Sequence, residues 1–185
     1  DSMLTIQNRR RRAYSRLSAV LIGGLSIGVA AVAYAQMARP AGMKGQTKSY
    51  VGNFKDNTVS VIDAGSGAVL GTLPVSAGPH GMAITRDGRR VYVSGDGSSS
   101  VDVIDTATDK VVKTIQVGKT PNGIALTPDD RLLLVTVYGE NRLVFVDTAT
   151  DAVIATTDVP KPHTVAISPD GRLAYVTEQE PGHFG

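Results

Sequence analysis

The chain of 185 residues contains no cysteine and no tryptophan, and only three phenylalanines. Without Cys there is no disulfide, no thiolate metal site and no covalently attached c-type haem in this stretch. The lack of Trp, and of a Gly-His to Trp-Asp frame, argues against a WD40 repeat. A basic surface is missing as well. Residues 1–35 carry five arginines against Asp1, whereas the other 150 residues set 14 Lys or Arg against 16 Asp or Glu. The body of the protein is thus slightly acidic, and no basic patch points to nucleic acid. Nucleophilic Ser motifs, paired catalytic carboxylates and zinc-protease helices are absent. Gly95-Asp96-Gly97 and Gly118-Lys119-Thr120 lack both a following helix and the full glycine spacing of a phosphate loop. No segment after residue 36 sustains a helical period.

What the chain does have is an export-like beginning. Arg9–Arg12 and Arg16 form a positive segment, and Leu17 to Ala35 is uncharged and rich in Ala, Val, Leu, Ile and Gly. Ala33-Tyr34-Ala35 then places small residues where a signal peptidase reads, so residues 1–35 are expected to be a signal peptide cleaved before Gln36. Arg11-Arg12-Ala13-Tyr14-Ser15-Arg16 partly resembles a twin-arginine signal, with Ser15 where an apolar residue is preferred. An uncleaved membrane anchor is the competing reading, because 19 uncharged residues just suffice to span a bilayer. Either reading places the body in the periplasm or outside the cell, touching membrane only through an uncleaved first segment. Residues 36–47 read as a linker.

The second positive feature is a repeat. Pro79-His80-Gly81-Met82-Ala83-Ile84-Thr85 recurs as Pro121-Asn122-Gly123-Ile124-Ala125-Leu126-Thr127 and as Pro162-His163-Thr164-Val165-Ala166-Ile167-Ser168, at spacings of 42 and 41. Asp63, Asp105 and Asp147 share the period of 42, as do Tyr50, Tyr92 and Leu134. Thr-Ala-Thr-Asp stands at both 106–109 and 148–151. Within one unit, Gly81–Thr85, Arg90–Ser94, Val101–Asp105 and Lys110–Val117 read as strands, parted by Arg86-Asp87-Gly88, by the polar loop 95–100 and by 106–109. Four short antiparallel strands per period of about 42 residues predict an all-β fold, the β-propeller. Leu143-Val144-Phe145-Val146 is apolar on both faces, as a sheet sandwiched between neighbours requires, and Ala83, Ala125 and Ala166 suit crowded innermost strands.

These residues resemble the YVTN family of β-propellers (YncE-like), named for a Tyr-Val-Thr-Asn second strand. The element stands as Tyr50-Val51-Gly52-Asn53, Tyr92-Val93-Ser94-Gly95 and Tyr175-Val176-Thr177-Glu178. Thr58-Val59-Ser60-Val61-Ile62-Asp63 and Ser168-Pro169-Asp170-Gly171 fit the same pattern. The resemblance covers about 130 residues and implies a fold more than a function. Residues 48–185 divide into units 48–78, 79–120, 121–161 and a truncated 162–185, about three and a quarter blades where such propellers usually have about seven. The first unit has no Gly-Ile-Ala-like strand before Lys48–Asn53, and the last stops within a blade. The expectation is the front part of a longer protein; a half-propeller closed by dimerisation would require a cut at a blade boundary.

The repeated turns are expected on one face, with Asp63, Asp105, Asp147, Asp87, Asp129 and Asp170 as turn formers whose carboxylates bond nearby N–H groups. The opposite face should carry the loops that differ, 53–57, 95–100, 138–142 and 178–185, where binding surfaces on rigid scaffolds arise. His80, Asn122 and His163 share one position and should line the mouth of the central channel. One reading makes His80 and His163 ligands of a metal, haem or quinone on the axis. The preferred reading makes all three polar caps of the loop that opens each blade, since Asn fills the middle site and no carboxylate spacing supports a ligand set. Asp96, Glu140, Glu178, Glu180 and His183 are loop-face candidates expected to be solvated. The leading functional expectation is a non-catalytic binding or scaffold module for a protein, polymer or small ligand, with no cofactor evident. The rival is the propeller of a redox enzyme, since the repeats also resemble haem-d1 nitrite reductases and quinohaemoprotein amine dehydrogenases, which implies haem or metal. A lactonase-like hydrolase with a channel metal is a third.

Overall fold

A computed structural model of the chain describes residues 47–179. The expected signal peptide (residues 1–35), the expected linker 36–47 except its last residue, Glu180 and His183 lie outside the described residues. Thirteen strands follow in chain order: β1 Lys48–Asn53, β2 Thr58–Asp63, β3 Val69–Pro74, β4 Pro79–Ile84, β5 Arg90–Gly95, β6 Ser100–Asp105 and β7 Lys110–Gln116. They continue as β8 Pro121–Leu126, β9 Leu132–Val137, β10 Arg142–Asp147, β11 Ala152–Asp158, β12 Pro162–Ile167 and β13 Ala174–Glu178. All pair antiparallel with their chain neighbours, into sheets β1-β2-β3, β4-β5-β6-β7, β8-β9-β10-β11 and β12-β13. These are blades 1 to 4 of a β-propeller; among the described residues blade 1 shows three strands and blade 4 its two inner ones. No described helix is long and apolar enough to cross a membrane.

The core lies between blades, and strand alternation puts it there. Successive side chains of a strand point to opposite faces, so a sheet covered on both sides must be apolar at every position. Val91, Val93 and Ile104 of blade 2 pack on Tyr50, Val59, Val61 and Leu73 of blade 1. The residues between them, Tyr92, Val101 and Val103, pack the other way, on Leu133, Val135, Val137, Val144 and Val146 of blade 3. Leu134 and Leu143 then turn to Val165 of blade 4. Each such fully buried side chain contributes about 1.5–3 kcal/mol.

Backbone conformation repeats with the same period. Left-handed residues stand at 67, 109 and 151, at 78, 120 and 161, and at 88, 130 and 171. Four of these nine, Gly67, Gly78, Gly88 and Gly171, are free of the Cβ penalty, while Asp109, Thr120, Asp130, Asp151 and Lys161 bear it. For Asp the expense is offset by what the carboxylate does next.

Candidate functional site

The turn end is closed on itself. Asp63 accepts N–H bonds from Gly65 and Ser66, Asp105 from Ala107 and Thr108, and Asp147 from Ala149 and Thr150, at 2.6–3.1 Å. Asp87, Asp129 and Asp170 accept from the N–H two residues on, in Arg89, Arg131 and Arg172. The Asp residues of the repeated turns are therefore turn formers, as their spacing predicts.

A second set at this end was not foreseen. The left-handed Asp109 takes the Lys48 ammonium at 2.6 Å and the Tyr50 hydroxyl at 2.5 Å, both from blade 1. Burial, and then this bond, raises the Tyr50 pKa. One period later Arg90 of blade 2 donates to Asp151 of blade 3 at 3.2 Å and to the Thr148 carbonyl. Asp130 likewise accepts the Arg86 N–H of the preceding blade at 2.7 Å. These are latches between blades, and the shared register of Lys48, Arg90, Asp109 and Asp151 was the available signal. Blade 3 breaks the series, with Leu132 and Leu134 at the latch positions.

At the other end the innermost strands begin two residues earlier than the expected Gly81, so His80, Asn122 and His163 lie inside strands rather than capping loops. The reason is the left-handed residue before each proline (Gly78, Thr120, Lys161), which completes the turn and lets Pro open the strand. Immediately afterwards each strand slips register against its partner, between Pro79 and Met82, Pro121 and Ile124, and Pro162 and Val165. Such a bulge re-aims a side chain. Here it frees the positions that carry His80, Asn122 and His163.

In blades 2 and 3 the hydroxyl residue at the third place of the second-strand motif, Ser94 or Thr136, fills that bulge. Ser94 Oγ accepts the Gly81 N–H at 2.8 Å and donates to the Asn122 carbonyl of the next blade at 2.5 Å. Thr136 does the same, accepting from Gly123 N–H at 2.8 Å and donating to the His163 carbonyl at 2.9 Å. Both hydroxyl residues are fully buried. The next strand passes so close that a Cβ at Gly81 would collide with the Asn122 carbonyl oxygen, and one at Gly123 with that of His163. Glycine is required at both places by approach rather than by torsion. Blade 1 has Gly52 where the hydroxyl stands elsewhere.

This framework brings His80 and His163 together although β8 lies between their strands. Their ring centroids are 5.7 Å apart with planes at 83°, and Phe54 meets His80 edge-on at 6.5 Å. Asn122 is buried between them in sequence order and contributes its backbone. Burial lowers the His80 pKa below the usual 6.5, and the neighbouring His163 adds to this. The Asp96 carboxylate and the Asn122 backbone act in the opposite direction. His80 Nδ1 is buried without a hydrogen-bond partner of good geometry, while His163 Nδ1 stands 3.2 Å from Thr164 Oγ1.

The remaining candidates fare differently. Asp96 sits beside this pair, its N–H donating to the Gly78 carbonyl at 2.8 Å. Glu140 is exposed, as expected, and is also engaged: it binds Arg142 at 2.6 Å and accepts the Lys119 N–H at 2.8 Å. Glu178 ends β13, exposed. Loops 53–57 and 138–142, different in sequence, share one backbone: a 3-10 turn followed by a left-handed Asn whose side chain accepts from the next blade's opening, Asn57 from Gly78 and Asn141 from Lys161. Asp102 was also missed. It is a buried carboxylate in an apolar strand, and it accepts from Ser76 N–H at 2.5 Å and Thr114 at 2.7 Å. Among the described residues no group of three or more His, Cys, Asp or Glu is arranged to hold a metal.

Repeated four-stranded antiparallel blades packed face to face define a β-propeller. The chain belongs to the YNCE-like beta-propeller family, whose model matches residues 25–126. Among solved structures it is similar to a chain of Kuenenia stuttgartiensis hydrazine synthase, at 27% identity and a TM-score of 0.70. That likeness covers 79% of this chain and 47% of the other, so this chain spans about half the length of the structure it matches. No curated protein matches the chain.

Proposed function

We propose that this protein is an exported binding module that recognises a protein, polymer or small ligand through the loop end of its propeller, with His80, Asn122 and His163 at the centre. One observation carries the reading, the uneven use of side chains at the two ends. Carboxylates at the turn end are consumed by their own turns or by the next blade. At the loop end His80, His163, Phe54 and Asp96 gather without a hydrogen bond between them, and the buried His80 Nδ1 has no partner of good geometry. Unspent polar groups beside exposed aromatic surface are what a ligand engages.

The test is fragment mapping on the isotope-labelled full chain, with mixtures of small aromatic and carboxylate compounds followed in 1H–15N spectra. The reading expects shifts centred on His80, Asp96, Asn122 and His163. Shifts confined to the turn end or the outermost strands would refute it.

A second reading, a redox enzyme with a cofactor at the axis, is favoured by the pairing of His80 with His163 and by the likeness to hydrazine synthase, an enzyme by name. It expects a visible absorption band from bound haem in the protein purified from its source. A colourless protein without bound metal would sink it, and with it a lactonase-like role.

A further inference from the structure

We propose that His80 and His163 form a two-imidazole site for a transition-metal ion of the copper or zinc kind, with the ion's remaining positions open to water or an added ligand. The inference goes beyond the binding-module reading and does not depend on it. Two imidazoles that share one ion through a single nitrogen each, at about 2.0–2.1 Å, hold their ring centroids about 5–6 Å apart. The observed separation is 5.7 Å. The two residues reach this separation from blades that are not neighbours, on backbones already fixed. The His163 carbonyl is held by Thr136, and the openings of both strands are set by a left-handed residue followed by proline. Side-chain rotation is then the adjustment left to make.

The ring chemistry agrees. His163 Nδ1 stands 3.2 Å from the Thr164 hydroxyl, and a ligating imidazole commonly has its other nitrogen fixed in this way. His80 is half-buried against Phe54, an environment that favours the neutral imidazole, the form that coordinates. Two nitrogens with no thiolate suit copper or zinc rather than calcium or magnesium, which take oxygen ligands. The protein supplies only these two, since no larger cluster exists among the described residues. Asp96 adds negative charge beside His80 and favours a cation there.

The equivalent position in blade 3 supplies the natural variant. Asn122 shows that the fold accepts Asn at this place, so His80→Asn and His163→Asn remove a ligand without removing the strand. The full chain would be titrated with Cu(II) and read by electron paramagnetic resonance, with Zn(II) followed in parallel by the imidazole 15N shifts. The site predicts about one equivalent of Cu(II) with coupling to two imidazole nitrogens, and Zn(II) shifts at His80 and His163 together. Each single variant should lower affinity by at least about tenfold, the loss that follows even from removing an outer partner. Two-nitrogen binding that persists in the double variant, or no binding by a folded wild type, would overturn the proposal. A chain that binds fragments at the loop end but no metal loses this inference alone.

Discussion

At the turn end, Asp105 and Asp147 each hold two N–H groups of their own turn, and Asp109, Asp130 and Asp151 reach the neighbouring blade. At the loop end, His80, Asp96 and His163 come from the same repeated scaffold, yet their side chains make no hydrogen bond to one another. The two ends differ in whether polar groups are spent. The Asp residues that recur with the period build the blade or join it to the next, whereas His80 and His163, which alternate with Asn122, make no such joint with their side chains. The buried hydroxyls Ser94 and Thr136 are the connection between the two regimes, because a strictly periodic contact holds the carbonyls of residues that are not periodic.

That contrast can be broken most forcibly from below the channel mouth. Gly123→Ala places a methyl group against the His163 carbonyl and the Thr164 Cα. Neither is the end of a flexible side chain, so the variant should lose about 3 kcal/mol in chemical denaturation. Asp109→Ala removes the carboxylate that Lys48 and Tyr50 share across the first blade junction. A loss of about 2 kcal/mol is expected, with the loop-end spectrum unchanged. Thr136→Val keeps the shape and deletes the hydroxyl that serves Gly123 and His163. It should cost about 1–2 kcal/mol and shift the His163 ring signals, linking the two ends in one measurement.

The smallest effect is one of pH. The Asp87, Asp105, Asp129 and Asp170 carboxyls are held below the usual 3.8, chiefly by the hydroxyls of Thr85, Thr108, Thr127 and Ser168, and Asp147 chiefly by the Thr150 N–H. A carboxyl whose folded pKa is depressed contributes stability that is present above its unfolded pKa and lost as pH falls through the folded one. These carboxyls should therefore add a decline in the midpoint of unfolding below pH 3.8, on top of the smaller loss that the lowered His80 pKa brings below pH 6.5, and the acid decline should be shallower once Asp105 and Asp147 are changed to Asn.

The blades, their strand order and the turn-forming Asp residues were legible in the sequence because each rests on a contact made once per period. The same regularity showed that His80, Asn122 and His163 share a position on the innermost strands. Their depth was misjudged by two residues, since the bulge after each proline is set by hydrogen bonds to Ser94 and Thr136 that pair residues 13 apart. The latches escaped notice for a related reason. Asp109 and Asp151 looked like the ends of their own turns, and the partners Lys48 and Arg90 lie 61 residues away. The bond that Glu140 accepts from Lys119 was not legible either, because Lys119 belongs to a second loop that folds beside it. The approach of His80 to His163 depends on how tightly the innermost strands crowd, which no local pattern encodes.

The most direct test sets two double variants side by side in chemical denaturation: Asp109→Ala with Asp151→Ala at the turn end, and His80→Asn with His163→Asn at the loop end. The account predicts that the aspartate pair loses about 3–4 kcal/mol, while the histidine pair stays within about 0.5 kcal/mol of the parent. A histidine pair as damaging as the aspartate pair would make the channel mouth one more part of the framework and would contradict the account.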